Sequence, residues 1–321
     1  METIPSLWHI RAKFVDRSDS LQTCAAATTR VWLIACRPQT LPAAVAPVLV
    51  GTACAHAAGR MAWLPALAAL VAAILLQIAA NLANDVLDHA RGADNDERLG
   101  PTRVVQAGLL SARAVLKGVV VSLSLALLVG CYLAWVGGWP IVAIGLGSML
   151  AAVAYTGGPY PLGYHGLGDL FVLVFFGLIA VTGTAYVQAG DVPALAYWAW
   201  IPIGALSTAI LVVNNLRDLA SDARSGKRTL AVRWGRSGAL LEYHLLLAVA
   251  YVVPVVLIIL GLAGVWVVLP LVTAPVASRL ALQVSHNRGG ALNQDLARTA
   301  QLLLAYAVTF ATGIVLDAMI H

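Results

Sequence analysis

Residues 61–88 read MAWLPALAALVAAILLQIAANLANDVLD. From Met61 to Ala80 the run is apolar except for Gln77, and about 20 such residues are what a helix needs to cross the hydrocarbon core of a bilayer. The run then passes, with no turn residue between, into Asn81, Asn84, Asp85 and Asp88. An apolar span that ends in amides and carboxylates is a membrane helix with chemistry at its mouth, because such groups are costly in lipid and usually functional there.

Reading outward for stretches of the same kind gives nine spans in all: 39–58, 61–83, 113–135, 138–156, 169–189, 193–214, 239–260, 264–284 and 297–318. Gly137-Gly138, Gly190-Asp191 and Gly261 mark turns between them. Of the 321 residues, 60% are hydrophobic and 11% charged, against about 25% charged in an ordinary soluble domain. That composition excludes a soluble enzyme, a disordered chain and a nucleic-acid-binding module. The expected fold is all-α: one nine-helix membrane domain over 31–321, preceded by a polar cytoplasmic extension over 1–30.

The charges orient this domain. With nine spans and a cytoplasmic N-terminus, 19 of the 20 basic residues fall on the cytoplasmic side, and only Arg60 lies outside. The net charge of +5 therefore records membrane orientation, and no nucleic-acid partner is expected. Cys24, Cys36, Cys54 and Cys131 have no metal-ligand spacing and read as small apolar fillers.

Acidic residues are scarcer, and seven of the 15 fall in two places. The first contains Asp85 and Asp88, followed by Asp94, Asp96 and Glu97; the second is Asn214-Asn215-Leu216-Arg217-Asp218-Leu219-Ala220-Ser221-Asp222. At about 100° per residue, Asn81, Asn84, Asp85 and Asp88 share an arc of roughly 100°. Asn214, Asp218 and Asp222 descend one face at i, i+4 and i+8. Both clusters lie at the cytoplasmic end of a span, where the helix dipole disfavours carboxylates, so a cation is expected to compensate them.

Oxygen ligands without His or Cys suit a hard cation, Mg²⁺ or Ca²⁺. Arg91, Arg98 and Arg103 follow the first cluster; Arg217, Lys227 and Arg228 surround the second. Acids beside bases suit an anion held partly through metal and partly by charge-assisted hydrogen bonds, as a diphosphate is. With an apolar tail among the helices, that points to prenyl transfer. The leaving diphosphate needs charge stabilisation, and aromatic faces such as Tyr155 and Tyr160 could meet an allylic cation. The alternative of a Mg²⁺ transporter asks for ionisable residues in mid-membrane, and these spans are nearly free of charge there.

Four stretches carry a family resemblance: Arg37-Pro38-Gln39-Thr40-Leu41-Pro42; Asn84-Asp85-x-x-Asp88 with Gly92-x-Asp94 and Arg98-Leu99-Gly100-Pro101-Thr102-Arg103; Tyr155-Thr156-Gly157-Gly158-Pro159 through Gly168-Asp169; and Asn214 to Asp222 through Gly226-Lys227-Arg228-Thr229-Leu230-Ala231-Val232-Arg233. On these, the chain resembles the UbiA superfamily of intramembrane aromatic prenyltransferases, and most of all its branch acting on 1,4-dihydroxy-2-naphthoate in menaquinone synthesis. The resemblance covers about residues 37–236; the last three spans match in hydropathy alone.

It implies nine helices around a central cavity that opens laterally to lipid, in a multi-pass protein of the bacterial cytoplasmic membrane with its active site on the cytoplasmic side. Asn84, Asp88, Asp218 and Asp222 would carry catalysis and hold Mg²⁺ with Asp85, Asn81 and Asp94. Lys227, Arg228, Arg98, Arg103 and Arg217 would bind the polyprenyl diphosphate, while Arg37 meets the acceptor carboxylate. Hydroxybenzoate-type members carry a further Asp where this chain has Gly92; naphthoate-type members share the shift to Asp94. The implied reaction joins a polyprenyl group to the naphthoate ring with loss of CO₂ and diphosphate. Other acceptors of the superfamily, 4-hydroxybenzoate, homogentisate or a chlorophyll precursor, are the alternatives, and the general base is open between an Asp of the second motif and the acceptor's own phenolate.

Overall fold

The computed structural model describes residues 29–91 and 99–320, and all regular structure among them is helical. In chain order the helices are α1 (Thr29–Thr40), α2 (Pro42–Ala57), α3 (Trp63–Ala90), α4 (Ala112–Gly137), α5 (Trp139–Ala154), α6 (Gly168–Ala189), α7 (Ala196–Arg224), α8 (Leu230–Ile259), α9 (Val265–His286) and α10 (Gly289–Ile320). Seven of them, α3, α4 and α6 to α10, are long and apolar enough to cross a membrane, and α1 with α2 makes an eighth if that bent pair is one span. Each of the nine expected spans falls on these helices. α5, however, has only 16 residues, about 24 Å of rise, less than the hydrocarbon core.

The first span also differs in shape. Helix α2 begins at Pro42 and meets α1 at an angle of 51°. The break is at Arg37, which takes a left-handed φ of 50°, the one positive φ at a non-glycine residue among those described. Pro38 follows it, and a residue before proline is pushed out of the helical region.

Helix α7 is the most buried of the set and forms the axis of the fold. It packs against α8 on one side and against α6 and α10 on others, while α10 also packs against α2 and α9, and α3 against α4. Contact between α6 and α7 depends on a glycine pair: a Cβ on Gly204 would lie 2.9 Å from the Leu173 carbonyl oxygen and 3.1 Å from the Gly177 Cα. In lipid, such close backbone approach supplies the dispersion contact that holds helices together. Over Leu173–Ile179, beside that pair, α6 widens into a π-helical stretch. The core, with Ile203, Leu206, Tyr243, Leu257, Tyr306 and Phe310 fully buried, lies among α7, α8 and α10. Away from that core, α3 to α6 surround a cavity.

Candidate active site

The cavity holds about 550 Å³ and is walled by alanines of α3, the phenylalanines of α6 and small residues of α4 and α5. One end is capped by the two acidic motifs, one on the last turns of α3 and the other on the last turns of α7. Lys227, on the turn after α7, joins them. Its backbone N–H donates to Asp222 O at 2.9 Å, and its ammonium lies 3.5 Å from Asp88 Oδ1 and 3.9 Å from Asp222 Oδ1.

Each carboxylate of the cap is held. Asp88 takes Arg103 Nη2 on Oδ2 at 2.7 Å and the Tyr164 hydroxyl on Oδ1 at 2.8 Å. The Tyr164 ring in turn has Lys227 Nζ 4.6 Å and the Arg91 guanidinium 5.2 Å from its centroid, both within cation–π range. Asp218 receives both Arg217 Nε (2.8 Å) and Nη2 (2.5 Å), and the same guanidinium donates to Asn214 and Asn293. Asn84 accepts a hydrogen bond from the buried Thr156 hydroxyl. Asn81 and Gln77 donate to Thr40 Oγ1 at 2.9 and 3.1 Å, binding α3 to α1 next to the Arg37 break.

Of the residues expected at the site, Arg37, Asn81, Asn84, Asp88, Arg103, Tyr155, Arg217, Asp218, Asp222 and Lys227 all line the cavity. Asp94 and Arg98 lie outside the described residues. Asp85 is not in the cavity wall: it is buried, and its two oxygens accept the backbone N–H groups of Val104 and Val105 at 3.0 and 3.2 Å. Asn84 and Asp85 mark opposite edges of their arc on α3; the cavity faces the Asn84 edge, and the Asp85 edge meets the 99–110 loop. Arg228 is exposed and also off the cavity, and its backbone N–H caps Tyr164 O at 2.8 Å. Tyr160 is exposed too and stacks on His165.

One cap residue and two of the cavity wall escaped the sequence reading. Tyr164 sits in a loop with no periodicity, although the stretch from Tyr155 to Asp169 drew attention to it. Phe171 and Phe175, stacked 5.6 Å apart at the cavity wall, read as ordinary span residues. At the far end of α3, Arg60 and Asp191 form a bidentate pair at 2.7 and 2.8 Å that holds the Asp191 carboxyl below its usual range.

Among the described residues, no three Asp, Glu, His or Cys side chains cluster closely enough to hold a metal by themselves. The donors of the cap are carboxylate and amide oxygens only. That set fits Mg²⁺, which commonly takes one or two carboxylates and completes its shell with water and substrate phosphates. The bound carboxylate oxygens each retain a second lone pair.

Fold and site together define a polytopic helical membrane protein with an acid-and-base cap over an apolar cavity. The chain belongs to the UbiA prenyltransferase family, whose pattern matches residues 44–314. It is 44% identical over 281 residues to the 1,4-dihydroxy-2-naphthoate octaprenyltransferase of Mycobacterium tuberculosis, covering 87% of this chain and 95% of that one. A UbiA homologue from Aeropyrum pernix has the same fold, with a TM-score of 0.66 at 17% identity, covering 85% of this chain and 97% of that one. So has one from Archaeoglobus fulgidus bound to DMAPP and Mg²⁺, at 0.61 and 15% identity, covering 88% and 99%.

Proposed function

We propose that this protein transfers a polyprenyl group from polyprenyl diphosphate to 1,4-dihydroxy-2-naphthoate, releasing diphosphate and CO₂ and giving demethylmenaquinol. The observation that carries this is the Lys227 ammonium between Asp88 and Asp222, which makes two motifs more than 120 residues apart one acid-and-base cap over one apolar cavity. The curated relative's name supplies the acceptor, and the ligands of the Archaeoglobus homologue are of the same chemical kind.

Asn84, Asp88, Asp218 and Asp222 would hold Mg²⁺, which when bound neutralises charge on the diphosphate. Lys227 and Arg103 bind diphosphate oxygens directly as the allylic C–O bond breaks and its electron pair leaves with the diphosphate. Tyr155, Phe171 and Phe175 present π faces to the allylic cation beneath the cap and, with the apolar walls, keep water from capturing it. The ring carbon bearing the carboxylate forms the new C–C bond. Loss of CO₂ returns the electron pair to the ring, so no ring proton has to be removed at that carbon. Arg37 orients the acceptor through its carboxylate. In this reading the protein lies in the bacterial cytoplasmic membrane with its cap facing the cytoplasm, an orientation that the distribution of basic residues supports.

The test supplies membranes containing the protein with a polyprenyl diphosphate and either naphthoate or 4-hydroxybenzoate, and reads product mass. Demethylmenaquinol from the naphthoate alone is the expected product. Turnover of hydroxybenzoate with none of naphthoate overturns the acceptor assignment.

A further inference from the structure

Arg103 reaches Asp88 from a segment that is pinned on both sides. After it, the Val104 and Val105 amides are held by Asp85 of α3. Before it, the Leu99 carbonyl oxygen accepts a hydrogen bond from Asn293 Nδ2 at 2.7 Å. Asn293 lies in the first turn of α10, 194 residues further along the chain. Gly289, at the start of the same helix, stands against the Leu99 side chain: a Cβ there would lie 3.2 Å from Leu99 Cδ1. Pro101 and Arg103, between the two pins, line the cavity.

The other half of the Asn293 amide serves the second motif. Asn293 Oδ1 accepts from Arg217 Nη1 at 3.0 Å, and Arg217 clamps Asp218 through Nε and Nη2. This amide fits only one way round. Turned over, its NH₂ would face a guanidinium N–H, and its oxygen would face the Leu99 carbonyl oxygen. One side chain of α10 therefore ties the segment that carries Arg103 to the guanidinium that holds Asp218. Asn293 itself is not in the cavity wall, whereas Leu296, one turn further along α10, is. Any effect of Asn293 on a substrate in the cavity passes through Arg103 and Arg217.

We propose that Asn293 is a positioning residue for the diphosphate: its amide fixes Arg103 and Arg217 relative to each other and so sets the spacing at which the two acidic motifs share one diphosphate. The proposal rests on the prenyl-transfer reading above and extends the site to α10, a helix outside all four motif stretches of the sequence. The two arms of the amide act on different steps. The Leu99 arm places Arg103, which touches the diphosphate, so its loss weakens binding. The Arg217 arm places Asp218, so its loss slows bond breaking.

Two substitutions separate the arms. Asn293→Asp keeps an oxygen for Arg217 but sets a second oxygen against the Leu99 carbonyl, where a donor is needed. Asn293→Ala removes both arms. The expected result for Asn293→Asp is a KM for polyprenyl diphosphate raised about tenfold with kcat within threefold of wild type; Asn293→Ala raises KM as much and also lowers kcat about tenfold. A second readout needs no acceptor: calorimetric affinity for an unreactive farnesyl thiodiphosphate with Mg²⁺ falls in step with KM. In an Arg103→Ala background, adding Asn293→Asp changes that affinity less than twofold, because the group it positions is already gone. Unchanged KM and affinity in both variants, or an Asn293→Asp effect of full size without Arg103, overturns the proposal. Wild-type protein that neither binds the thiodiphosphate nor turns over a polyprenyl diphosphate overturns instead the prenyl-transfer reading on which it rests.

Discussion

Replacing Arg217 with methionine separates a buried clamp from a free substrate contact. Its side chain is 1% exposed, and the guanidinium makes four hydrogen bonds, two to Asp218 and one each to Asn214 and Asn293. Removing one partner of such a pair leaves an uncompensated buried carboxylate, at a cost of about 3–5 kcal/mol. At about 2 °C per kcal/mol for a domain of this size, the thermal midpoint falls by about 6–10 °C. Intrinsic tryptophan fluorescence of purified protein during heating reads that shift. Arg217→Lys keeps the charge but loses the two-pronged geometry, and its midpoint falls between the other two. Turnover falls through misplacement of Asp218, so kcat drops more than KM for the diphosphate rises. A midpoint unchanged within about 1 °C, with KM raised tenfold or more, refutes the clamp and makes Arg217 a direct substrate contact.

Asp88→Asn removes a charge from the water-poor cap and is expected to cost at least about 100-fold in turnover while the protein inserts and purifies normally; Asp191→Asn, at the far end of α3, leaves turnover unchanged. Asp85→Ala leaves the Val104 and Val105 amides unpaired, at about 1–3 kcal/mol each. The thermal midpoint drops, yet the stabilisation gained on adding Mg²⁺ and diphosphate persists; its loss would put Asp85 back among the metal ligands. Tyr164→Phe deletes one hydrogen bond to the Asp88 carboxylate, a loss on the scale of about 1.5–3 kcal/mol, and turnover falls roughly tenfold or more. Turnover within twofold of wild type would show that Tyr164 does not position Asp88.

The residues of the site differ in how legible they are, and helical geometry accounts for most of it. Asp218 and Asp222 could be read because i, i+4 spacing fixes a face whatever packs against it. Asp85 could not be separated from Asp88, because an arc of about 100° on α3 does not say which of its edges meets the cavity and which meets the following loop. That depends on the loop's own amides, at Val104 and Val105. Tyr164 joins the cap through a loop, where no period exists to place a side chain, and Asn293 reaches it from the first turn of α10, far along the chain from either motif. Hydropathy located all nine spans but not their lengths. The left-handed turn at Arg37 and the shortness of α5 reflect local backbone geometry and weak packing, which apolar content does not encode.

The central claim is that both acidic motifs form one site for Mg²⁺ and diphosphate. Its most direct test is the Mg²⁺-dependent binding of an unreactive farnesyl thiodiphosphate to wild type, Asp88→Asn and Asp222→Asn, measured by calorimetry. The account predicts binding in wild type that EDTA abolishes, and at least a tenfold loss of affinity in either variant. Wild-type affinity in one of the two, or binding indifferent to EDTA, would contradict it.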